Sequence, residues 1–385
     1  MKQNTKVIMF FSSREAVTGG ELVDLKICQN LRERGVMVES VFLDKAPPFI
    51  RKLPLILRMF STNIWLLFKV LGMKDRELTL FEDMGHHPNL FIFNVIIGMM
   101  RRVRIIVYVQ FPFPNSPYLG YYSRLFRSRW ARTIDRYVMK IFVRKVDKFL
   151  MNSEYAKREG VEFGVPPEKM EVVGVPVELI NDGRSNRAIK KRDGKDERIT
   201  LLYVGMGIPR KGLFYLVEAM SRFANARLYL DVVGDTNDDP AYFASVINLI
   251  KEKKLEKQVA FHGHVSDKEK IRDFYSRADI FVFPTLHEGF GIPVLEAMAF
   301  GLPIIASDVA AVPELIKDGD NGILIPPANS EELAKALKSL AESAPLRKKY
   351  GTNASRVFEK KYRQFLPENI GAKVYNACII AQGRK

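Results

Sequence analysis

Cysteine is scarce in this chain of 385 residues: there are two, Cys28 and Cys378, near opposite ends. Neither has Cys or His neighbours at metal-ligand spacing, so a disulfide framework and a structural zinc site are excluded, and a reducing cytosol is the expected setting. Long apolar runs are missing too. The run nearest the amino terminus, Val7 to Phe11, has five residues. A secretory signal needs about 7–15, so KVIMFFS is expected to be a first β-strand. No window reaches ~18 uninterrupted apolar residues. Residues 53–73 come nearest, but Arg58 and Lys69 interrupt them, and either charge at mid-bilayer would cost roughly 2.5–3.5 kcal/mol. The chain is expected to be soluble or peripheral. Low-complexity and Pro/Gly-dominated tracts are absent, which excludes disordered and collagen-like classes. The length is enough for roughly two or three domains with real cores.

Acidic residues are in deficit, 44 Asp+Glu against 60 Lys+Arg, and the excess is uneven. Residues 44–150 hold 19 Lys/Arg and 7 Asp/Glu, a local charge of +12. The aromatic and apolar residues crowd there as well. If Pro54 begins a helix, Arg51, Arg58, Thr62, Lys69 and Arg76 share one face, and Ile56, Phe60, Ile64, Leu67 and Leu71 share another. Residues 118–148 repeat the pattern, with Arg129, Arg132, Arg136, Lys140 and Arg144 opposed to Tyr122, Phe126, Trp130, Ile134 and Ile141. Core-facing helices with solvated basic backs would give this pattern. So would interfacial helices docked on an anionic membrane, where each Lys or Arg is worth ~1 kcal/mol. The density of aromatics favours docking. Nucleic-acid binding is not expected, since no helix-turn-helix, zinc finger or RNP signature accompanies the charge.

Along the chain, KVIMFFS leads through Thr18-Gly19-Gly20-Glu21 into a helical pattern (Leu22, Leu25, Ile27, Leu31) that closes at Gly35, and VMVESVFL follows as a strand. Strand, glycine loop, helix and strand make a βαβ unit of a parallel sheet. Further strands are expected at residues 104–109 and 148–151. Residues 181–198 carry mixed charges and almost nothing apolar, and read as a linker or exposed excursion. A second α/β series then runs from ITLLYVG through LYLDVVG, VAFHGH, DIFVFP, PIIAS and GILIP, with helical patterns between them. Unalternating strands such as LLYVG suit a parallel sheet covered on both faces. The expected fold is α/β with two Rossmann-like, doubly wound domains facing a cleft. Residues 1–180 would form the first, with its basic helices toward a membrane, and 181–198 the linker. Residues 199–365 would form the second, and 366–385 a helix returning to the first.

Ligands of open α/β sheets bind beyond the carboxyl ends of the strands. Two loops there carry chemistry. In Gly205-Met206-Gly207-Ile208-Pro209-Arg210-Lys211-Gly212, two glycines permit close backbone approach and two cations precede an expected helix, a combination suited to a diphosphate. It lacks the Lys-Ser/Thr of a Walker A loop. In His287-Glu288-Gly289-Phe290-Gly291-Ile292-Pro293, a glycine-flanked turn exposes N–H groups before a helix that Gly301 would end. Glu288 stands before that helix and Glu296 about one turn inside it. Two acids at one mouth exceed what capping requires. One suits a sugar hydroxyl and the other a ribose diol.

The Glu-x7-Glu element in EGFGIPVLEAMAFGLPIIAS resembles that of the retaining glycosyltransferases of family four, which have the GT-B fold. YVGMGIPRKG, VVGDTNDDP, FHGHVSDKEKIRDFYSRADIFVFP and NGILIPPANSEELAKAL are similar to the family's other elements and stand in its order. So are Gly19-Gly20-Glu21 and Asn152-Ser153-Glu154-Tyr155 in the first domain. GHHP and YVQFP look like segments of mannosyltransferases that extend polyprenyl-linked oligosaccharides.

By position, the resemblance implies that Arg210 and Lys211 hold the donor's diphosphate beside Gly205, and that Gly20 lets the first domain's backbone approach it. Glu296 would take the ribose hydroxyls. Glu288, with the N–H groups of Phe290 and Gly291, would hold the donor sugar. Asp235 and the stretch containing His264 would lie near the base. The resemblance implies no metal and no cofactor. The donor substrate would be a UDP- or GDP-sugar, the acceptor a glycan or lipid-linked molecule, and the location the cytoplasmic face of a membrane. Two departures stand out. Met206 occupies a usual Arg position, and Gln110 a usual His position; Gln110 can bind a sugar but not act as a charged acid or base. His86 and His87 could supply an imidazole instead. A non-catalytic peripheral protein of this fold, or an epimerase or phosphorylase, remain alternatives.

Overall fold

The computed structural model describes residues 5–11, 19–42, 47–51, 64–66, 68, 77–83, 103–109, 141, 143–175, 198–222, 227–365 and 367–379. Packing divides the chain into two units: Met1–Val177 with Phe365–Lys385, and Glu178–Gln364.

The first unit is built on six parallel strands, β1 (Thr5–Phe11), β2 (Met37–Phe42), β3 (Glu77–Asp83), β4 (Val103–Val109), β5 (Lys148–Met151) and β6 (Met170–Val172). Their order is β2-β1-β3-β4-β5-β6. Ile8 pairs with Leu80 and Leu80 with Ile105, and all three are sealed from solvent, so the core runs through the middle of the sheet. Helix Glu154–Phe163 follows β5. Ser153 caps it by accepting the N–H of Ala156, and Gly164 ends it at φ 99°. This Asn-Ser-Glu-Tyr element therefore has a local structural purpose of its own.

In the basic region, Leu66 is buried and Trp65 packs against the first core, while Ile64 is 55% exposed and Phe68 69% exposed. The sequence pattern grouped Ile64 with Leu67 and Leu71 on one apolar face. Here the inward residue is Leu66, and Ile64 turns outward with Phe68, one turn further on. Most of the second basic stretch lies outside the described residues. At its end Val143 and Val146 are buried, and Arg144 is exposed.

The second unit holds β7 (Ile199–Val204), β8 (Leu228–Val233), β9 (Val259–Phe261), β10 (Ile280–Phe283), β11 (Ile304–Ser307) and β12 (Ile323–Ile325), all parallel, in the order β12-β11-β10-β7-β8-β9. Every residue of β10 and β11 is buried, as expected for strands covered on both faces. Helices Leu213–Arg222 and Ser330–Glu342 supply Leu216, Val217, Leu333 and Leu337 to one side of this core. The chain winds outward from β7 in one direction and from β10 in the other. The switch point between these two strands is where such sheets open a crevice for ligands. The first sheet reverses between β1 and β3 instead, which is the other common doubly wound order.

Helix Pro367–Ile379 belongs to the first unit and lies along helix Gly19–Glu33. The approach is close at Gly371: a Cβ there would come within 2.6 Å of the Asn30 Cβ. Alanine normally favours a helix interior over glycine by about 1 kcal/mol. At this position the sign reverses, and Gly371→Ala is expected to destabilise the first unit by about 1–3 kcal/mol through overpacking. Thermal melting reads it directly; an unchanged or raised melting temperature would contradict this packing.

Candidate functional site

Both chemistry-bearing loops of the second unit emerge at its switch point. One follows β7 and the other follows β10. Val204 ends β7, and residues 205–208 lead into a tight turn, Pro209–Lys211, which carries both cations. As expected, the cations precede the helix: helix Leu213–Arg222 begins after Gly212, and Arg210 and Lys211 sit on the 3-10 turn before it. Gly212 ends the turn at φ 73°, and a Cβ on it would lie 1.9 Å from the Pro284 carbonyl oxygen. No other residue type fits without moving the two loops apart.

The loops are joined at several points. The Leu286 N–H donates to the Arg210 carbonyl at 2.7 Å. The buried Thr285 hydroxyl lies 3.1 Å from that carbonyl and 2.9 Å from the His287 carbonyl, and its single proton is shared between them. Arg210 Nη1 donates to the His287 carbonyl at 3.0 Å. From the β7 side, the Tyr203 hydroxyl donates to the Met206 carbonyl at 3.0 Å, with the Lys211 carbonyl at 3.4 Å. Met206, standing at a usual Arg position, therefore contributes through its backbone.

Within this frame Lys211 Nζ meets Glu288 Oε2 at 2.5 Å, with both side chains nearly buried (11% and 12% exposed). Arg210 Nη1 lies 3.7 Å from the same oxygen, and the Gly289 N–H donates to Oε1 at 3.1 Å. The ammonium also lies 5.4 Å from the centre of the Phe283 ring, within cation–π range. Burial works to raise the Glu288 pKa, but Lys211 and Arg210 outweigh it and hold the carboxyl below its ordinary value. Burial lowers Lys211; Glu288 opposes that shift and Arg210 adds to it. The two shifts are not mirror images because the acid faces two cations and the lysine faces one of each sign. Burial and the adjacent Arg210 keep His287 below its ordinary value, so it is neutral at pH 7.

Phe290 is buried, and Gly291 caps helix Ile292–Ala299 at φ 96° with no side-chain bond to that end. Neither acid caps this helix. Glu296, its fifth residue, accepts from the Tyr275 hydroxyl at 2.6 Å, so the two acids of the Glu-x7-Glu element have different partners. On the β8 side, the Asp235 carbonyl accepts the Gly207 N–H at 2.7 Å. The Asp235 carboxylate accepts from the Asn237 backbone and amide, and that bonding, with His264 nearby, lowers its pKa. His264 lines a surface cleft of about 660 Å³ with His262, Val265, Asp267, Lys270 and Phe274. His262 is tied to Asp231 at 2.7 Å.

The structure thus brings Gly205, Arg210, Lys211 and Glu288 together, and Asp235 with His264. Gly20 is the second residue of helix Gly19–Glu33, in the first unit. Gln110, His86 and His87 lie outside the described residues. Tyr203, Thr285 and Tyr275 are additions that the sequence reading did not single out. Tyr203 and Thr285 are hydroxyls within an apolar run or directly after one, a signal easily taken for packing, and Tyr275 stands in a mostly polar helix. The stretch Asp318-Gly319-Asp320 forms part of a turn before β12, where Asp318 accepts from Leu324 N and Asp320 from the Asn353 amide.

Residues 185–357 match the family described as Glycosyl transferases group 1, and residues 17–179 match Glycosyltransferase Family 4. This chain belongs to the family-four glycosyltransferases, of GT-B fold. Sucrose-phosphate synthase from Thermosynechococcus elongatus shares the fold at a TM-score of 0.74 and 19% identity, over 98% of this chain and 100% of that one. Anabaena HepE, crystallised in complex with UDP, does so at 0.72 and 16%, over 97% and 99%. Among curated relatives, the alpha-D-kanosaminyltransferase of Streptomyces kanamyceticus is 29% identical over 64% of this chain and 65% of its own length. The family-four chain spans about half to two-thirds of the length of the curated relatives it matches.

Removing one member of a buried pair strands the other. Glu288→Gln leaves Lys211 facing Arg210 and is expected to cost about 3 kcal/mol. Lys211→Met should cost less, because Arg210 remains 3.7 Å from Glu288. A depressed acid stabilises the fold above its unfolded pKa of ~4.3 and loses that contribution as pH falls through the lower folded value. The stability gap between wild type and Glu288→Gln should therefore be widest above about pH 4.3 and close in stronger acid. Chemical denaturation from pH 3 to 7 checks the order and the sign; equal costs for both variants, or a gap independent of pH, would contradict the pairing.

Proposed function

We propose that this family-four chain is a retaining, metal-independent hexosyltransferase. It moves a hexose from a UDP- or GDP-sugar to a lipid-linked or membrane-associated glycan acceptor. The observation that carries the reading is the meeting of Arg210, Lys211 and Glu288 at the switch point of the second sheet. In the reaction, the bond between the sugar's anomeric carbon and the diphosphate oxygen breaks, and negative charge develops on the departing nucleoside diphosphate. Arg210 and Lys211 stabilise that charge, aided by a site with little water. The acceptor hydroxyl bonds to the anomeric carbon, and its proton passes to the leaving diphosphate. Glu288, engaged by two cations, is a poor nucleophile, and its part is to hold the donor sugar in place. That favours substitution on the face the diphosphate leaves, with the configuration retained. Glu296 receives the ribose, and the cleft at His264 lies toward the base. A thermal-shift panel of UDP-, GDP- and ADP-sugars tests this. At 100 times its dissociation constant the true donor should stabilise the protein by ~2.7 kcal/mol. Lys211→Met should abolish most of that shift. No response to any nucleotide sugar, or full transfer by both Lys211→Met and Glu288→Gln, would overturn the reading; binding without transfer would point to a non-catalytic relative.

The membrane part of the proposal is supported by the first unit's surface. Phe49 and Phe68 are each 69% exposed and Ile64 55%. They belong to the stretch of residues 44–150 that carries a net +12. Aromatic side chains beside a basic excess suit peripheral attachment to the cytoplasmic face of an anionic membrane. Among the described residues no helix is long and apolar enough to cross a membrane. Phe49→Ser with Phe68→Ser should weaken sedimentation with phosphatidylglycerol vesicles roughly tenfold. Melting should stay unchanged, since both side chains are already exposed. Undiminished vesicle binding would remove this part of the proposal.

A further inference from the structure

We propose that Tyr275 is a positioning residue for the nucleotide's ribose, fixing the Glu296 carboxylate in the orientation that receives the sugar diol; this rests on the role given to Glu296 above. Tyr275, on helix Lys268–Arg277, is completely buried, and its hydroxyl donates to Glu296 Oε2 at 2.6 Å. Glu296 itself is only half-buried. The carboxylate is thus gripped by a buried donor while the residue as a whole stays partly open to solvent. The terminal torsion of a glutamate is broad, so an unheld carboxylate samples many planes. A diol that bonds to both oxygens needs one plane. A short bond from an immobile donor favours it.

The donor is immobile because its ring is packed. Tyr275 stacks on Phe300, with centroids 5.2 Å apart and planes 16° apart, and lies 5.8 Å from Phe281. In this aromatic cluster a phenylalanine would fill the same space and bring no hydroxyl to satisfy. The hydroxyl has the Pro293 carbonyl at the limit of bonding distance, 3.5 Å, and Glu296 at a strong one. Burial and the adjacent carboxylate push the phenol's pKa well above its ordinary value, so Tyr275 keeps its proton and remains a donor throughout the working pH range.

The test uses the full-length chain as wild type, Tyr275→Phe, Glu296→Ala and the double variant. Calorimetry gives the affinity of each for UDP and 2′-deoxy-UDP, with GDP and 2′-deoxy-GDP in parallel. The wild type is expected to prefer the ribonucleotide. Tyr275→Phe should cut that preference about three- to tenfold, the range for one hydrogen bond, and leave 2′-deoxy binding intact. In the Glu296→Ala background it should have no further effect. A wild-type preference that Tyr275→Phe retains overturns this inference alone. Equal weakening of both nucleotides by Tyr275→Phe also overturns it, since that marks a purely structural role. Absence of any ribose preference in the wild type overturns the role of Glu296 and this inference together.

Discussion

Burying an ammonium and a carboxylate together removes both from water, and each ion loses several kcal/mol of hydration before mutual attraction returns it. Lys211 and Glu288 bear that cost at the mouth of the second sheet. Such a pair adds little net stability compared with apolar side chains of the same size. What it does is constrain. With the Arg210 carbonyl held by Leu286 and Arg210 bonded to the His287 carbonyl, the loops after β7 and β10 form one rigid piece. A ligand of the proposed kind would meet the cations and the acid already in place, and binding energy would not be consumed in ordering them.

The sheet order makes this arrangement available. Helices connecting β7 to β8 and β10 to β11 leave toward opposite sides, so the loops at the start of those connections are neighbours without a helix between them. Glycine then sets the final distance. Gly212 lets the turn carrying the cations lie directly on the Pro284 carbonyl, and Gly291 reaches a left-handed conformation so that the next helix can begin without a side chain over its end. Backbone permissiveness at these two positions converts a topological opportunity into a site a few ångströms across.

Much of this was legible in the chain itself, and the exceptions have physical reasons. The strands β7, β8, β10 and β11 are continuous apolar runs with clear boundaries, and Arg210, Lys211 and Glu288 announce themselves by chemistry and spacing. β3 and β6 escaped because in ELTLFED acids at both ends leave a central stretch of only four residues, and MEV is three residues long. Helix Ala344–Val357 escaped because its sequence is mostly polar; its buried residues are Tyr350, Gly351 and Ala354. Whether the face holding Ile64 turns to the core or to solvent could not be read, because a spacing of three or four residues identifies a face and does not say which way it turns. Thr285, Tyr203 and Tyr275 were invisible for a different reason. Their function lies in the partner of a single hydroxyl, and a sequence pattern contains no partners.

The two acids of the Glu-x7-Glu element have opposite surroundings. Glu288 answers two cations, so the cluster of Arg210, Lys211 and Glu288 retains one positive charge in a site with little water. A sugar diphosphate carries about two negative charges, of which the cluster would offset one, and the charge that develops on the departing group as the glycosidic bond breaks would be drawn to the same two cations. Glu296 has a neutral partner, the Tyr275 phenol, which orients its carboxylate without neutralising it. A neutral diol is best received by such a group, since its hydroxyls need a strong acceptor and bring no charge of their own. Placing a cation beside Glu296 would weaken it as an acceptor; leaving Glu288 without cations would strand a buried charge. On the proposed reading, the distinction between the anionic and the hydroxylated parts of the donor follows from what each acid touches.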